Sequence, residues 1–128
     1  MDTQQQLRQA LLAKAKQLSS SGLSQGKSGN LSVRCEENIL ITPSGADSHQ
    51  LSADDMVLLP LDFDPALHSV NGLAPSSEWH FHVGIYLQKP EVNAVVHAHS
   101  PAATALSCLH KPLPAFHYMV ALAGGSEI

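Results

Sequence analysis

The chain has 128 residues, a length that predicts one domain over residues 1–128 with room for a substantial hydrophobic core. Its apolar fraction of 44% is ordinary for a globular protein, and a net charge of −4 without a basic run argues against nucleic-acid binding. No run of about 18 apolar residues predicts a membrane span. The two cysteines, Cys35 and Cys108, are far apart in sequence and favour a reducing cytoplasm over a disulfide scaffold.

The first half of the chain predicts a helix followed by a β-hairpin. Asp2 or Thr3 can cap a helix that ends near Leu18, because leucines recur at the spacing of one helical face. The Ser/Gly-rich segment 19–26 predicts a loop. Apolar residues alternate with polar ones on both sides of residues 36–38, which is typical of two strands joined by a turn.

The second half alternates strands with helices, so the whole pattern predicts a mixed sheet covered by helices. In chain order the predicted segments are a strand over 56–59, irregular chain over 62–75, a helix over 78–88, a strand over 92–99, and a helix up to Leu109 that Ser100 caps and Pro101 opens.

Two histidines at the end of the last predicted strand form the most informative motif. Residues i and i+2 of a strand project to the same side, so His97 and His99 can present two imidazoles to one ion. The alternative is two polar residues on an exposed strand face. A metal site needs a third protein ligand, so the pair alone leaves both interpretations open.

The start of the second predicted helix carries three polar residues. Ser76 and Ser77, with the unpaired backbone N–H groups of a helix N-terminus, can hold an anion such as phosphate. Simple capping by Ser77 is the alternative. Glu78 suits the positive end of the helix dipole, yet it can also face the histidine pair, where it would bind a metal or move a proton.

Two dipeptides complete a set of three short polar loops. Gly29-Asn30 and Ser44-Gly45 are each typical of turns, and small residues there would let a ligand approach the backbone. With the two serines they predict a phosphate cradle.

The remaining histidines and one tyrosine carry weaker predictions. His80 and His82 are predicted to be structural or surface residues, since positions i and i+2 do not share a helical face. For Tyr118 two interpretations stay open, a proton donor and a packing residue. Four histidines lack a partner at metal-binding spacing and are assigned no role: His49, His68, His110 and His117.

Taken together, five segments in order resemble the class II aldolase/adducin family, and most of all its bacterial L-fuculose-phosphate aldolases. The resemblance covers almost all of the chain. The segments are Ser28-Gly29-Asn30-Leu31-Ser32-Val33-Arg34, Ile41-Thr42-Pro43-Ser44-Gly45, Ser76-Ser77-Glu78-Trp79, Ala94-Val95-Val96-His97-Ala98-His99 and His117-Tyr118-Met119.

The resemblance implies a three-layer α/β/α sandwich around a mainly antiparallel sheet, assembled as a homotetramer. It implies reversible cleavage of a phosphorylated sugar, a ketose 1-phosphate, into dihydroxyacetone phosphate and an aldehyde. Zinc would be bound by His97 and His99, with Glu78 as the acid/base and a further ligand. Tyr118 would reach across a subunit boundary to protonate the aldehyde. The residues implied to hold the substrate phosphate are Gly29, Asn30, Ser44, Gly45, Ser76 and Ser77.

The chain also departs from the family pattern. Family members are longer, and their third zinc histidine lies further on, whereas no histidine follows His117 here. We therefore expect a C-terminally incomplete domain, for which the resemblance alone does not predict activity. Relatives reuse the same site, so a sugar-phosphate 4-epimerase, a dehydratase or a decarboxylase is an alternative. A non-catalytic adducin-like module is another.

Overall fold

The computed structural model describes residues 3–70 and 72–125, and it contains the predicted helices and strands. In chain order these are α1 (Thr3–Ser20), β1 (Asn30–Cys35), β2 (Asn38–Ile41), β3 (Val57–Pro60), α2 (Trp79–Gln88), β4 (Ala94–His97) and α3 (Pro101–Cys108), with 3-10 turns at Ser48–Gln50, Ala53–Asp55 and Tyr118–Ala123. Asp2, a predicted cap of α1, lies outside the described residues.

The four strands form one antiparallel sheet in the order β3-β2-β1-β4. Strands β1 and β2 make the predicted hairpin, and Glu36 takes a left-handed conformation (φ 55°) in its two-residue turn. Strand β4 returns much later in the chain to pair with the other edge of β1, which sets Asn30 opposite His97. The prediction of a mainly antiparallel sheet is confirmed.

Successive side chains along the strands point to opposite faces of the sheet, and they pack into two separate cores, one on each face. Leu40 faces α1, whereas its neighbours Ile39 and Ile41 face α2. The α1-side core contains Leu11, Ala15, Leu18, Leu31, Cys35, Leu40 and Met56. The α2-side core contains Ile39, Ile41, Val57, Leu59, Phe63, Val83 and Tyr86. This is the predicted α/β/α layering, with α1 and α2 as the outer layers.

One local prediction at the end of β4 is wrong, and another is confirmed only in part. The strand ends at His97 and does not continue to His99, because His97 pairs with the first residue of β1 and no β1 residue remains for Ala98. Ser100 occupies the cap position of α3 with extended backbone, but its side chain makes no capping hydrogen bond. Pro101 lies in the first turn, as expected.

The long connection from β3 folds back along the end of β2 before it enters α2. The backbone N–H of Ser44 donates to the carbonyl of Ala74 (2.9 Å), and that of Ser76 donates to Thr42 (3.0 Å). These bonds bring the start of α2 beside the segment that follows β2. None of the described helices has the length and hydropathy that a transmembrane span requires.

Candidate active site

The two histidines of the HxH motif converge as predicted. The Nε2 atoms of His97 and His99 lie 2.8 Å apart, and an oxygen of Glu78 lies 3.4 Å from His97 Nε2. One ligand atom from each of the three residues falls within 4.8 Å of the others. At this distance the two Nε2 atoms would repel each other through their lone pairs if neither carried a proton. A proton on one of them, or a cation bound by both, removes this repulsion. Two imidazoles and a carboxylate are ligands that zinc prefers, so the donor set fits this metal.

Gly29 leaves room for the end of β4 to pack closely against the segment that precedes β1. Gly29 has φ +85°, and a Cβ atom there would lie 2.8 Å from the carbonyl oxygen of His97 and 2.6 Å from Ser24 Oγ. A side chain at this position would therefore collide with the strand that carries the site. Ser24 Oγ in turn accepts a hydrogen bond from the backbone N–H of His99 (3.2 Å), which holds His99 in place two residues beyond the end of β4.

Glu78 is held at the junction of α2 and the sheet. It occupies the cap position of α2, and its Oε2 accepts a hydrogen bond from Asn30 Nδ2 (2.6 Å). That bond lowers the pKa of Glu78, partial burial opposes the shift, and positive charge on His97 would lower it further. The carboxylate is one third exposed, so it remains accessible from the cleft that it lines.

One cleft of about 250 Å³ gathers the predicted phosphate residues beside the three candidate metal ligands. Its lining includes Gly29, Asn30, Ser44, Gly45, Ser76 and Ser77, together with Glu78 and His99. The capping prediction for Ser77 is wrong, because Ser76 Oγ is the acceptor that meets the N–H of Glu78 (3.3 Å). The hydroxyl of Ser77 is therefore not consumed as a helix cap.

Two further residues lie in or beside this region, and the sequence predicted a role at the site for neither of them. Lys27 is the only lysine or arginine among the described residues that line the cleft. Its position two residues before Gly29 is the sequence feature that could have predicted it. His82 was predicted to be structural or on the surface; it is 1% exposed and hydrogen-bonded to Asn30 (2.5 Å). Its neighbour His80 is exposed, as predicted. The signal for His82 was its spacing of four from both Glu78 and Tyr86, which places all three on one helical face.

Tyr118 does not take part in this cleft within the described chain. Its side chain is 78% exposed on the last 3-10 turn, and it is not among the cleft-lining residues. The His117 ring beside it accepts a hydrogen bond from the backbone of Met119 (3.2 Å). An exposed tyrosine is compatible with a role in a neighbouring subunit, which stays a prediction.

Comparison with known proteins assigns the family. The sequence matches the family model described as the class II aldolase and adducin N-terminal domain over residues 9–128, so the chain belongs to this family. It is 47% identical over 122 residues to a 5-methylthioribulose-1-phosphate/5-deoxyribulose-1-phosphate aldolase of Rhodospirillum rubrum, covering 95% of this chain and 53% of that protein. It is 42% identical to an L-fuculose phosphate aldolase of Haemophilus influenzae, covering 96% of this chain and 55% of that protein.

A solved structure carries the same fold. An L-fuculose 1-phosphate aldolase superposes with a TM-score of 0.82 at 34% identity, covering all of this chain and 58% of that one. The chain thus spans about half the length of the curated relatives it matches.

Proposed function

We propose that the chain provides the metal and phosphate sites of a class II aldolase, which reversibly cleaves a ketose 1-phosphate into dihydroxyacetone phosphate and an aldehyde. The observation that carries this proposal is the convergence of Glu78, His97 and His99 at the rim of a cleft lined by small polar residues. Both curated relatives named above are aldolases of sugar phosphates, which supports the substrate class. L-Fuculose 1-phosphate and 5-deoxyribulose 1-phosphate are the substrates to test first.

The proposed cofactor is zinc, held by His97, His99 and Glu78. When bound, zinc supplies a Lewis acid that stabilises the negative charge developed as the carbon–carbon bond breaks. The strand register and the Asn30 hydrogen bond hold the three side chains beside one another, so little rearrangement is needed to use them together.

The phosphate group is proposed to lie in the cleft among backbone N–H groups and hydroxyls. Gly29 and Gly45 expose backbone there, and the Ser76 and Ser77 pair lies just before the N-terminus of α2, whose dipole favours an anion. Lys27 adds a positive charge in a chain that is acidic overall. Binding the phosphate here would place the sugar carbons toward Glu78 and the histidines.

Two proton transfers complete the proposed reaction. In the cleavage direction a base takes the proton from the hydroxyl that becomes the aldehyde, and an acid returns a proton to the carbon of the departing enediolate. We assign the second transfer to Glu78 and the first to Tyr118 of a neighbouring subunit. This assignment requires a homo-oligomer, which we propose to be a tetramer. We also propose a cytoplasmic location, because sugar phosphates are metabolites of the cytoplasm.

Metal analysis tests the first half of the proposal. The purified chain should contain near-stoichiometric zinc, and the double variant His97→Ala/His99→Ala should lose it. The variant His110→Ala is the matched control, because it removes an exposed histidine outside the candidate metal cluster. An equally low zinc content in all three proteins would overturn the metal assignment.

A coupled assay for dihydroxyacetone phosphate tests the second half. One dihydroxyacetone phosphate released per ketose 1-phosphate consumed is the expected result. Conversion without that product would contradict the aldolase and favour an epimerase, a dehydratase or a decarboxylase. A folded, zinc-loaded chain that converts neither substrate would favour a non-catalytic module.

A further inference from the structure

A continuous row of hydrogen bonds runs beneath Glu78 between α2 and β1. It joins the hydroxyl of Tyr86 to Ser32 Oγ (2.8 Å), Ser32 Oγ to His82 Nδ1 (2.7 Å), His82 Nε2 to Asn30 Oδ1 (2.5 Å), and Asn30 Nδ2 to Glu78 Oε2 (2.6 Å). Ser32, His82 and Tyr86 are each at most 2% exposed, so water does not compete for the two bonds that join them; at the other end of the row, Glu78 is one third exposed. We call this row the Glu78 chain.

The chemistry of each group fixes the direction of the Glu78 chain. An ionised carboxylate only accepts, so the Asn30 amide nitrogen faces Glu78 and its oxygen faces His82. That oxygen also only accepts, so His82 Nε2 carries the proton. The neutral ring then accepts at Nδ1, which uses the single proton of Ser32 and leaves Ser32 to accept from Tyr86.

The surroundings keep the His82 ring neutral, as this direction requires. Burial lowers the pKa of His82 to about 4, and positive charge on His97 adds to the effect, while Glu78 opposes it. Protonation would force Nδ1 to donate and reverse the bond with Ser32. At neutral pH all four bonds therefore point from Tyr86 toward the carboxylate, and aligned bonds strengthen one another.

We propose that His82, backed by Ser32 and Tyr86, is a positioning residue that orients Asn30 so that its amide holds the Glu78 carboxylate beside His97 and His99. The catalytic consequence of this inference rests on the proposed function; the geometric part does not. The neutral amide of Asn30 lies between His82 and Glu78 in the Glu78 chain, and it cannot pass a proton on. The role of His82 is therefore to orient and polarise Asn30, and not to supply a proton to Glu78.

Alternation along β1 and a spacing of four along α2 explain how the sequence builds this row. Asn30 and Ser32 are two apart in β1 and project to the α2 side, whereas Leu31 between them enters the α1-side core. Glu78, His82 and Tyr86 are spaced by four and follow one face of α2 from its cap inward. Each of the two β1 residues therefore lies within hydrogen-bond distance of its partners on α2, and the Glu78 chain is continuous.

NMR spectroscopy of the metal-free protein tests the geometric part without any assay of function. Long-range ¹H–¹⁵N correlations should show the His82 proton on Nε2 and none on Nδ1. The side-chain amide signals of Asn30 should shift in His82→Leu and stay near their original positions in His82→Gln, because glutamine can offer an N–H close to the Nε2 position. A proton on Nδ1, or an Asn30 amide unaffected by His82→Leu, would overturn the proposal.

Turnover measurements test the catalytic consequence. We expect His82→Leu to lower kcat by roughly tenfold or more with a smaller change in KM, because a misoriented Asn30 would lose its hydrogen bond to the charged Glu78. His82→Gln should recover most of this loss, and Ser32→Ala should cost less because it lies further from Glu78. His80→Leu is the matched control on the exposed side of α2 and should leave kcat unchanged.

The two tests separate failure of this inference from failure of the proposed function. A wild-type chain with the expected His82 tautomer but no cleavage would contradict the proposed function and leave the geometric part standing. Equal losses of kcat in His82→Leu and His82→Gln, or a lower melting temperature without any change in kcat, would contradict the positioning role.

Discussion

The two faces of the sheet are built from different materials. The α1-side core consists of hydrocarbon and sulfur side chains, whereas the α2 side inserts the polar residues Ser32 and His82 beside its apolar members. Burying polar groups is unfavourable unless each finds a partner, and here the hydrogen bonds of the Glu78 chain supply the partners. The comparison indicates that α2 stabilises the sheet and also positions the candidate metal ligands, whereas α1 stabilises the sheet and contributes Ala15, Leu18 and Ser19 to the wall of the cleft.

The largest expected effect tests the stabilising role of the α1 side. Leu40 is fully buried, and Leu40→Ala should lower the free energy of unfolding by about 2 to 5 kcal/mol, through lost burial and the cavity left behind. Urea unfolding measures this change. The control Leu58→Ala, at a position 38% exposed in β3, should lose clearly less. Zinc content of folded Leu40→Ala should match the wild type; a parallel loss of zinc would contradict the separation of the two faces.

The second prediction concerns pH and the α2 side. Burial lowers the pKa of His82 from its ordinary value of about 6.5 to about 4 in the folded chain, so between these pH values the unfolded chain binds more protons. Stability should therefore fall as the pH drops from about 6.5 to about 4, by at most about 3 kcal/mol from this group, and His82 should contribute no pH dependence above that window. Urea unfolding at several pH values measures the slope.

The matched pair for this measurement isolates His82 from the carboxylates that titrate in the same range. His82→Gln should flatten the acid limb of the stability curve, whereas His80→Gln should keep the wild-type slope. Identical slopes in the two variants would show that the buried ring does not stay neutral.

The third prediction concerns the close approach of β1 and β4. Gly29→Ala combines a left-handed backbone with contacts of 2.6 and 2.8 Å, so it should destabilise the fold by about 1 to 3 kcal/mol and weaken zinc binding by displacing His97. Gly22→Ala has a similar φ of +77° but open space around its Cβ. This control should lose some stability and leave zinc affinity unchanged. Equal zinc affinities in both variants would argue against the contact with His97.

The smallest effect is expected from Lys27. Its side chain is exposed, so Lys27→Met should raise the KM for a sugar phosphate only a few-fold, since screened charges contribute about 1 kcal/mol or less. The difference from wild type should shrink as salt is added. Lys111→Met, outside the cleft, should have no effect; a salt-independent change at Lys27 would point to a steric cause instead.

The sequence predicted the elements that depend on local patterns. The spacing of His97 and His99 predicted the paired imidazoles, and hydrophobic alternation predicted the hairpin and the strand positions. Family resemblance predicted the six cleft residues as a set, and the structure brings them together. Their roles in binding phosphate stay predictions, as does that of Tyr118.

The remaining features depend on which residues become neighbours in space. His82 could be placed on a helix from the sequence, but its burial follows from which face of α2 meets β1. The end of β4 follows from its partner, since β1 begins at Asn30 and offers nothing further to pair with. The choice of Ser76 over Ser77 as the acceptor for Glu78 follows from the path of the connection along Thr42.

The pairing of Asn30 with His97 has a consequence for folding. The hairpin partner β2, strand β3 and helix α2 lie between β1 and β4 in the sequence. The candidate site therefore depends on contacts between residues that are far apart in the sequence. A short peptide that contains both histidines would hold the motif but lack Glu78 and Asn30. A metal ion that binds only the assembled site therefore favours the folded chain as a whole, and zinc affinity becomes a measure of how completely the sheet has formed.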